Sequence, residues 1–165
     1  MSVVYLIRDD GGQRQVLLGE KLTGLGRGKL VGPGGKSEGI ENPRDTAVRE
    51  VWEEVGVTLD PDDLHPLAVI EYPFIERPEL SQRSHAFIAR TFRGEPHPSR
   101  ELDPRWWNLE TIPFERMWAD AALWLPRAFA GEFLNATFEI GVDNSVVSAS
   151  TNWSHSAGTN PGFLG

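Results

Sequence analysis

The 165-residue sequence is 39% hydrophobic and 24% charged, the proportions of a folded globular chain rather than a disordered one, and long enough to bury a single core. A formal net charge of −8 with no Lys/Arg cluster argues against binding to nucleic acid polymers or anionic membranes. With no cysteine, disulfides and thiolate metal sites are excluded, so any metal must be held by oxygen or imidazole ligands.

The same charge would repel a polyanionic substrate unless a cation mediates. No apolar run approaches the roughly 20 residues that cross a bilayer, and the first six residues are too short and uncharged for a signal peptide, so a cytoplasmic location is expected.

In chain order, Val3 to Ile7 and Val16 to Leu18 are β-prone runs flanking Asp9-Asp10-Gly11-Gly12, which predicts a hairpin. Gly24, Gly26, Gly28, Gly32, Gly34 and Gly35 follow in a loop where backbone can approach a ligand closely. Asn42-Pro43 predicts a helix start and Gly56 its stop, with Ala47, Val48, Val51, Trp52 and Val55 as the buried stripe. Leu67 to Phe74 and Ser84 to Phe92 are predicted strands, and Pro96, Pro98 and Pro104 mark a loop.

Asp120 to Phe129 fits a second helix that Pro126 would kink or restart. Thr137 to Ile140 and Val146 to Val147 predict two closing strands around a turn at Asp143-Asn144. From residue 148 the Ser, Thr, Asn and Gly content predicts a poorly ordered tail, leaving residues 1–147 as the domain. This order of elements predicts an α+β fold, a sandwich with the sheet in the middle.

The first helix carries the chemistry. At 100° per residue, Glu53 and Glu54 lie about 60° and 40° to either side of Glu50, so three carboxylates share one face. Charged residues most often form a solvated face. Here the like charges of Glu50 and Glu54 at i,i+4 repel and are offset only in part by the Arg49/Glu53 pair, and a cation between them would turn repulsion into coordination. Oxygen ligands suit Mg²⁺, with Mn²⁺ as an alternative, and such ions share their coordination with substrate phosphates. His65, His85, His97 and His155 show no ligand spacing.

Gly35, Glu41 after five residues, and after seven more Arg49-Glu50-Val51-x-Glu53-Glu54-x-Gly56-Val57 resemble a complete Nudix box, the signature of hydrolases acting on a nucleoside diphosphate linked to another group. Residues 24–36 (GLGRGKLVGPGGK), 112–118 (IPFERMW) and 136–141 (ATFEIG) are similar to the MutT-like oxidised-purine nucleoside triphosphate diphosphatases, which act on 8-oxo-dGTP and related nucleotides. The resemblance implies a Nudix-type α/β/α sandwich with a central mixed sheet. It implies metal ligation by the Gly34 carbonyl and by Glu50, Glu53, Glu54 and Glu101, with Glu50 as the first candidate for the catalytic base, followed by Glu53 and Glu101. Lys21, Gly35 and Lys36 would then lie near phosphate, Trp118 beneath the base, Asp120 at its edge, and Leu25, Val31, Tyr72 and Phe74 around it. Glu41, Arg49 and Gly56 become structural parts of the motif.

Two positions depart from that pattern. Val31 stands where the relatives have an asparagine, and Ala121 follows Asp120 where they have a second aspartate, so the base preference can differ. The expected function is metal-dependent hydrolysis of purine nucleoside triphosphates by a monomer that binds small nucleotides only. The alternatives are a pyrophosphohydrolase for a sugar nucleotide, dinucleoside polyphosphate or capped RNA, and a nucleotide-binding module without turnover.

Overall fold

The structure, a computed structural model, describes residues 1–155. The first strand β1 (Ser2–Asp10) turns at Gly11-Gly12 into β2 (Gln13–Lys21), and short strands β3 (Leu30–Val31) and β4 (Gly34–Gly35) lead to helix α1 (Pro43–Val55). Strands β5 (His65–Tyr72), β6 (Gln82–Ala89) and β7 (Leu102–Asn108) precede helix α2 (Ala121–Phe129), and β8 (Phe133–Ile140) and β9 (Val146–Ser154) close the described fold.

The strands form one mixed sheet in the order β3-β2-β1-β6-β5-β8-β9, with β4 on β1 and β7 on β2. The β1/β6 and β5/β8 pairs are parallel and the rest antiparallel. Alternation along β1 divides the interior into two layers. Val4 and Leu6 pack with Ala47, Val51 and Val55 of α1, while Tyr5 and Ile7 pack on the other face with Trp124 and Leu125 of α2. A fully buried aliphatic side chain of this kind contributes about 1.5–3 kcal/mol, so both helices are held chiefly by their apolar stripes.

Helix α1 runs between its expected caps. The Asn42 side chain accepts from the Asp45 amide at 2.9 Å, and Gly56, at φ +73°, donates its amide to the Trp52 carbonyl at 3.0 Å. A Cβ on Gly56 would also strike the His97 imidazole, so glycine is required there for space as well as for conformation. Trp52 is not in the buried stripe: it is 59% exposed. On a 100° wheel it falls about 60° beyond Val55 and past the edge of the core face, whereas Glu54 falls only about 20° from Ala47 and is buried.

Three further expectations change. The segment containing Pro104 is strand β7, in which residues 102–108 pair with residues 15–21 of β2 and Pro104 faces Gly19. β7 has β2 as its sole strand neighbour among the described residues, and a missing amide costs least in a strand with one partner. Pro126 lies inside α2 and does not start a new helix. The last strand extends to Ser154, paired with β8 from Ile140 back to Phe133, so residues 148–154 belong to the sheet. The partner strand supplies the hydrogen bonds that polar composition alone does not predict. The rest of the expected tail, residues 156–165, lies outside the described residues.

Candidate active site

The acidic cluster begins with the helical wheel of α1. Glu54 is 7% exposed and its Oε1 accepts the Gly34 amide at 2.7 Å, tying α1 to β4. Carboxylate oxygens of Glu50, Glu54 and Glu101 all lie within 4.8 Å of one another. Glu101 arrives from the residue before β7, where its carbonyl accepts the Leu22 amide at 2.9 Å. Burial pushes the Glu54 carboxyl up to about 7 against the pull of the Gly34 amide, and the Glu50 and Glu101 charges push it further the same way. The Glu50 carboxyl is also raised, first by burial, against the pull of Arg49. Three oxygen donors with mutually unfavourable charges fit a hard divalent cation such as Mg²⁺ or Mn²⁺, which would replace a proton there.

Space for these carboxyls depends on missing side chains. A Cβ on Gly35 would come 2.5 Å from Glu50 Cδ, and one on Gly34 would fall 2.8 Å from the Val3 Cα. The bare backbone of β4 therefore lets α1 approach the sheet with its acids facing inward.

Glu53 is outside the trio. Its Oε2 accepts from Arg49 Nη1 at 3.1 Å, and its side chain is 52% exposed. The same Nη1 donates to Glu50 Oε1 at 2.9 Å, Nε and Nη2 reach Glu41 at 2.7 and 3.0 Å, and Nη2 also reaches the Lys36 carbonyl at 2.9 Å. Arg49 thus joins the helix to the loop before it, and its hydrogen bonds, followed by the Glu38 amide, hold the Glu41 carboxyl down to about 2. On the wheel Glu53 projects about 120° from Ala47, which explains why it turns outward with Arg49.

Glu50, Glu54 and Glu101 share a cavity of about 460 Å³ with Gly34, Gly35 and the two lysines Lys21 and Lys36. Leu25, Val31, Tyr72, Phe74, Trp118 and Asp120 line the same cavity. Trp118 meets Phe74 edge-to-face at 6.2 Å, and Lys29 Nζ lies 5.4 Å from the centre of the indole. Gly26, at φ +79°, lies so close to that indole that a Cβ would come 2.9 Å from it. Asp120 is 4% exposed and accepts from the Tyr72 hydroxyl at 2.7 Å and the Trp124 indole N–H at 2.9 Å, both on Oδ2. Burial raises the Asp120 carboxyl, and these two donors act against the rise.

Sequence reasoning did not single out Tyr5, Ser84 or Trp124, which also line the cavity. Ser84 carried a signal: it is a buried polar residue two positions before Ala86 and four before Ile88, on the strand face that packs toward α2. Trp124 was legible only as an apolar residue of its helix. Of the other expected residues, Glu41, Arg49, Glu53 and Gly56 do not line the cavity.

The NUDIX domain family matches residues 1–128. The chain is 44% identical over 112 residues to an oxidized purine nucleoside triphosphate hydrolase from Danio rerio, covering 68% of this chain and 70% of that protein. It is 38% identical over 125 residues to the protein of the same name from Mus musculus, covering 73% and 78%. A crystal structure of a MutT protein from Bacillus halodurans superposes with a TM-score of 0.74 at 26% identity, covering 92% of this chain and 97% of that one.

Proposed function

The chain belongs to the NUDIX domain family and is a hydrolase of that family, and on that premise we propose that it hydrolyses purine nucleoside triphosphates, preferring oxidised forms such as 8-oxo-dGTP, to the monophosphate and pyrophosphate. Its role is then to clear damaged nucleotides from the precursor pool. The observation that carries this reading is the shared cavity: three carboxylates within 4.8 Å of one another line the same space as Trp118 and Asp120.

Glu50, Glu54 and Glu101, with the Gly34 carbonyl, would hold the ion, Mg²⁺ or in its place Mn²⁺. When bound, a divalent cation supplies the positive charge that offsets the phosphate oxygens. Lys21 and Lys36 add charge to the same end of the substrate, and the Gly35 backbone leaves room for it. Glu50 takes the proton from the attacking water, with Glu101 as the other acid in the cavity able to do so, whereas Glu53 is turned out of it onto Arg49. Trp118 stacks on the base, Asp120 receives its edge, and Leu25, Val31, Tyr72 and Phe74 exclude water around it. The proposal includes a cytoplasmic monomer acting on small nucleotides.

The test is hydrolysis with Mg²⁺ of 8-oxo-dGTP, dGTP, a sugar nucleotide, a dinucleoside polyphosphate and a capped RNA. The expected kcat/KM for 8-oxo-dGTP exceeds that for dGTP by about tenfold or more. Equal values for the two remove the preference, faster cleavage of another nucleotide derivative moves the assignment to it, and no turnover of any leaves a binding module.

A further inference from the structure

We propose that Tyr72 is a positioning residue whose hydroxyl, together with the Trp124 indole N–H, occupies one oxygen of Asp120 and presents the other to the substrate, so that the cavity selects purines whose edge carries a ring N–H beside an exocyclic amine.

The inference rests on the purine nucleotide reading above and adds the edge that is recognised. Tyr72 is the last residue of β5 and Trp124 lies within α2, so the two donors come from two different elements of regular structure. Both reach Oδ2, at 2.7 and 2.9 Å, and neither reaches Oδ1. The Tyr72 ring is itself held by stacking on Phe138, with centroids 6.2 Å apart and planes 29° from parallel. Its hydroxyl is therefore fixed by packing rather than by Asp120 alone.

An ionised carboxylate accepts hydrogen bonds and donates none. Asp120 is buried, and burial favours a protonated carboxyl, but two donors on one oxygen favour the ionised form. Oδ1, which neither side-chain donor occupies, is thereby kept as an acceptor on a residue that lines the cavity. Val31 offers neither donor nor acceptor, so Asp120 carries more of the discrimination than it would beside a polar neighbour. A guanine-type edge, with a ring N–H and an exocyclic amine, matches an acceptor. An adenine-type edge places an unprotonated ring nitrogen in the same region, and two acceptors facing each other repel. Without the Tyr72 hydroxyl the carboxyl keeps a single side-chain donor, and it can turn or take up a proton.

The two probes are 8-oxo-dGTP and 8-oxo-dATP, which differ at that edge. For the Tyr72→Phe variant, KM for 8-oxo-dGTP rises about tenfold while kcat changes by less than about threefold, and KM for 8-oxo-dATP stays within about twofold. Trp124→Phe lowers the ratio of the two kcat/KM values in the same direction. In an Asp120→Asn background, Tyr72→Phe leaves that ratio unaltered, because the group it positions is gone. A parallel change in both KM values, or an unchanged ratio in Tyr72→Phe, overturns the role of Tyr72 while leaving the enzyme assignment intact. A parent protein that turns over neither nucleotide overturns the purine reading itself and this proposal with it.

Discussion

Gly35 and Glu50 meet so closely that a Cβ on the glycine would lie 2.5 Å from the carboxyl carbon. Gly35→Ala must therefore displace either the β4 backbone or the Glu50 carboxylate, and the side chain is the softer of the two. A misplacement of about 1 Å at a reacting group costs on the order of 10²-fold in rate, so kcat is expected to fall by about that factor with the fold retained. Steady-state kinetics beside a circular dichroism spectrum check it, and an unimpaired kcat would show that the Glu50 position is not critical.

Glu54 makes the metal-free protein sensitive to pH in an unusual direction. Its folded-state pKa is raised from 4.5 to about 7, so the native state binds more protons than the unfolded chain between those values. Its contribution to stability is fully present below about 4.5 and is lost as pH rises through about 7. In the presence of EDTA, Tm should decline across that window relative to Glu54→Gln, whose side chain does not titrate. Because a cation competes with the same proton, Mg²⁺ affinity should rise with pH up to about 7. Calorimetry in buffers of different ionisation enthalpy reads the proton released, and binding without proton release below pH 6 would contradict the assignment.

Arg49 joins Glu41, Glu50, Glu53 and the Lys36 carbonyl. Lysine keeps the charge but not the fork, so it cannot serve all four partners. Arg49→Lys is expected to lower Tm by roughly 3–6 °C, or about 1.5 kcal/mol for a domain of this size, and to lower kcat through Glu50. Thermal unfolding and kinetics together separate the two effects. A variant that matches the parent in both would reduce the network to a surface feature.

Trp118 offers an aromatic face in the cavity, bordered by Phe74, Lys29 and Gly26. If it stacks on the base, Trp118→Ala should raise KM by roughly 10- to 100-fold for both oxidised and normal purine nucleotides, since stacking contributes about 1–3 kcal/mol per base without reading its edge. Trp118→Phe should recover most of the loss. An unchanged KM in Trp118→Ala would place the base elsewhere.

Periodicity and punctuation decided much of this molecule in advance. Asn42-Pro43 and Gly56 bound α1 because caps act within a few residues, and the alternation of Val4, Tyr5, Leu6 and Ile7 assigns each to one of two cores because a strand has a fixed period of two. The wheel of α1 also implied more than its charge count: its angles place Glu54 beside the buried stripe and Glu53 away from it. Pro104 and the polar run after residue 147 misled, because composition reports local preference while pairing with β2 and β8 is a long-range event.

What the amino acids determined by themselves is the helix with its acids, the glycines that let backbone come close, and hence the phosphate chemistry, since each depends on residues near in sequence. Only the tertiary structure decided that Glu101 joins Glu50 and Glu54, and that Tyr72 and Trp124 converge on one oxygen of Asp120. Those contacts join residues as many as 51 positions apart, from Glu50 to Glu101, and no periodicity spans such a distance. They exist because packing both helices against one twisted sheet brings their ends to the same cavity.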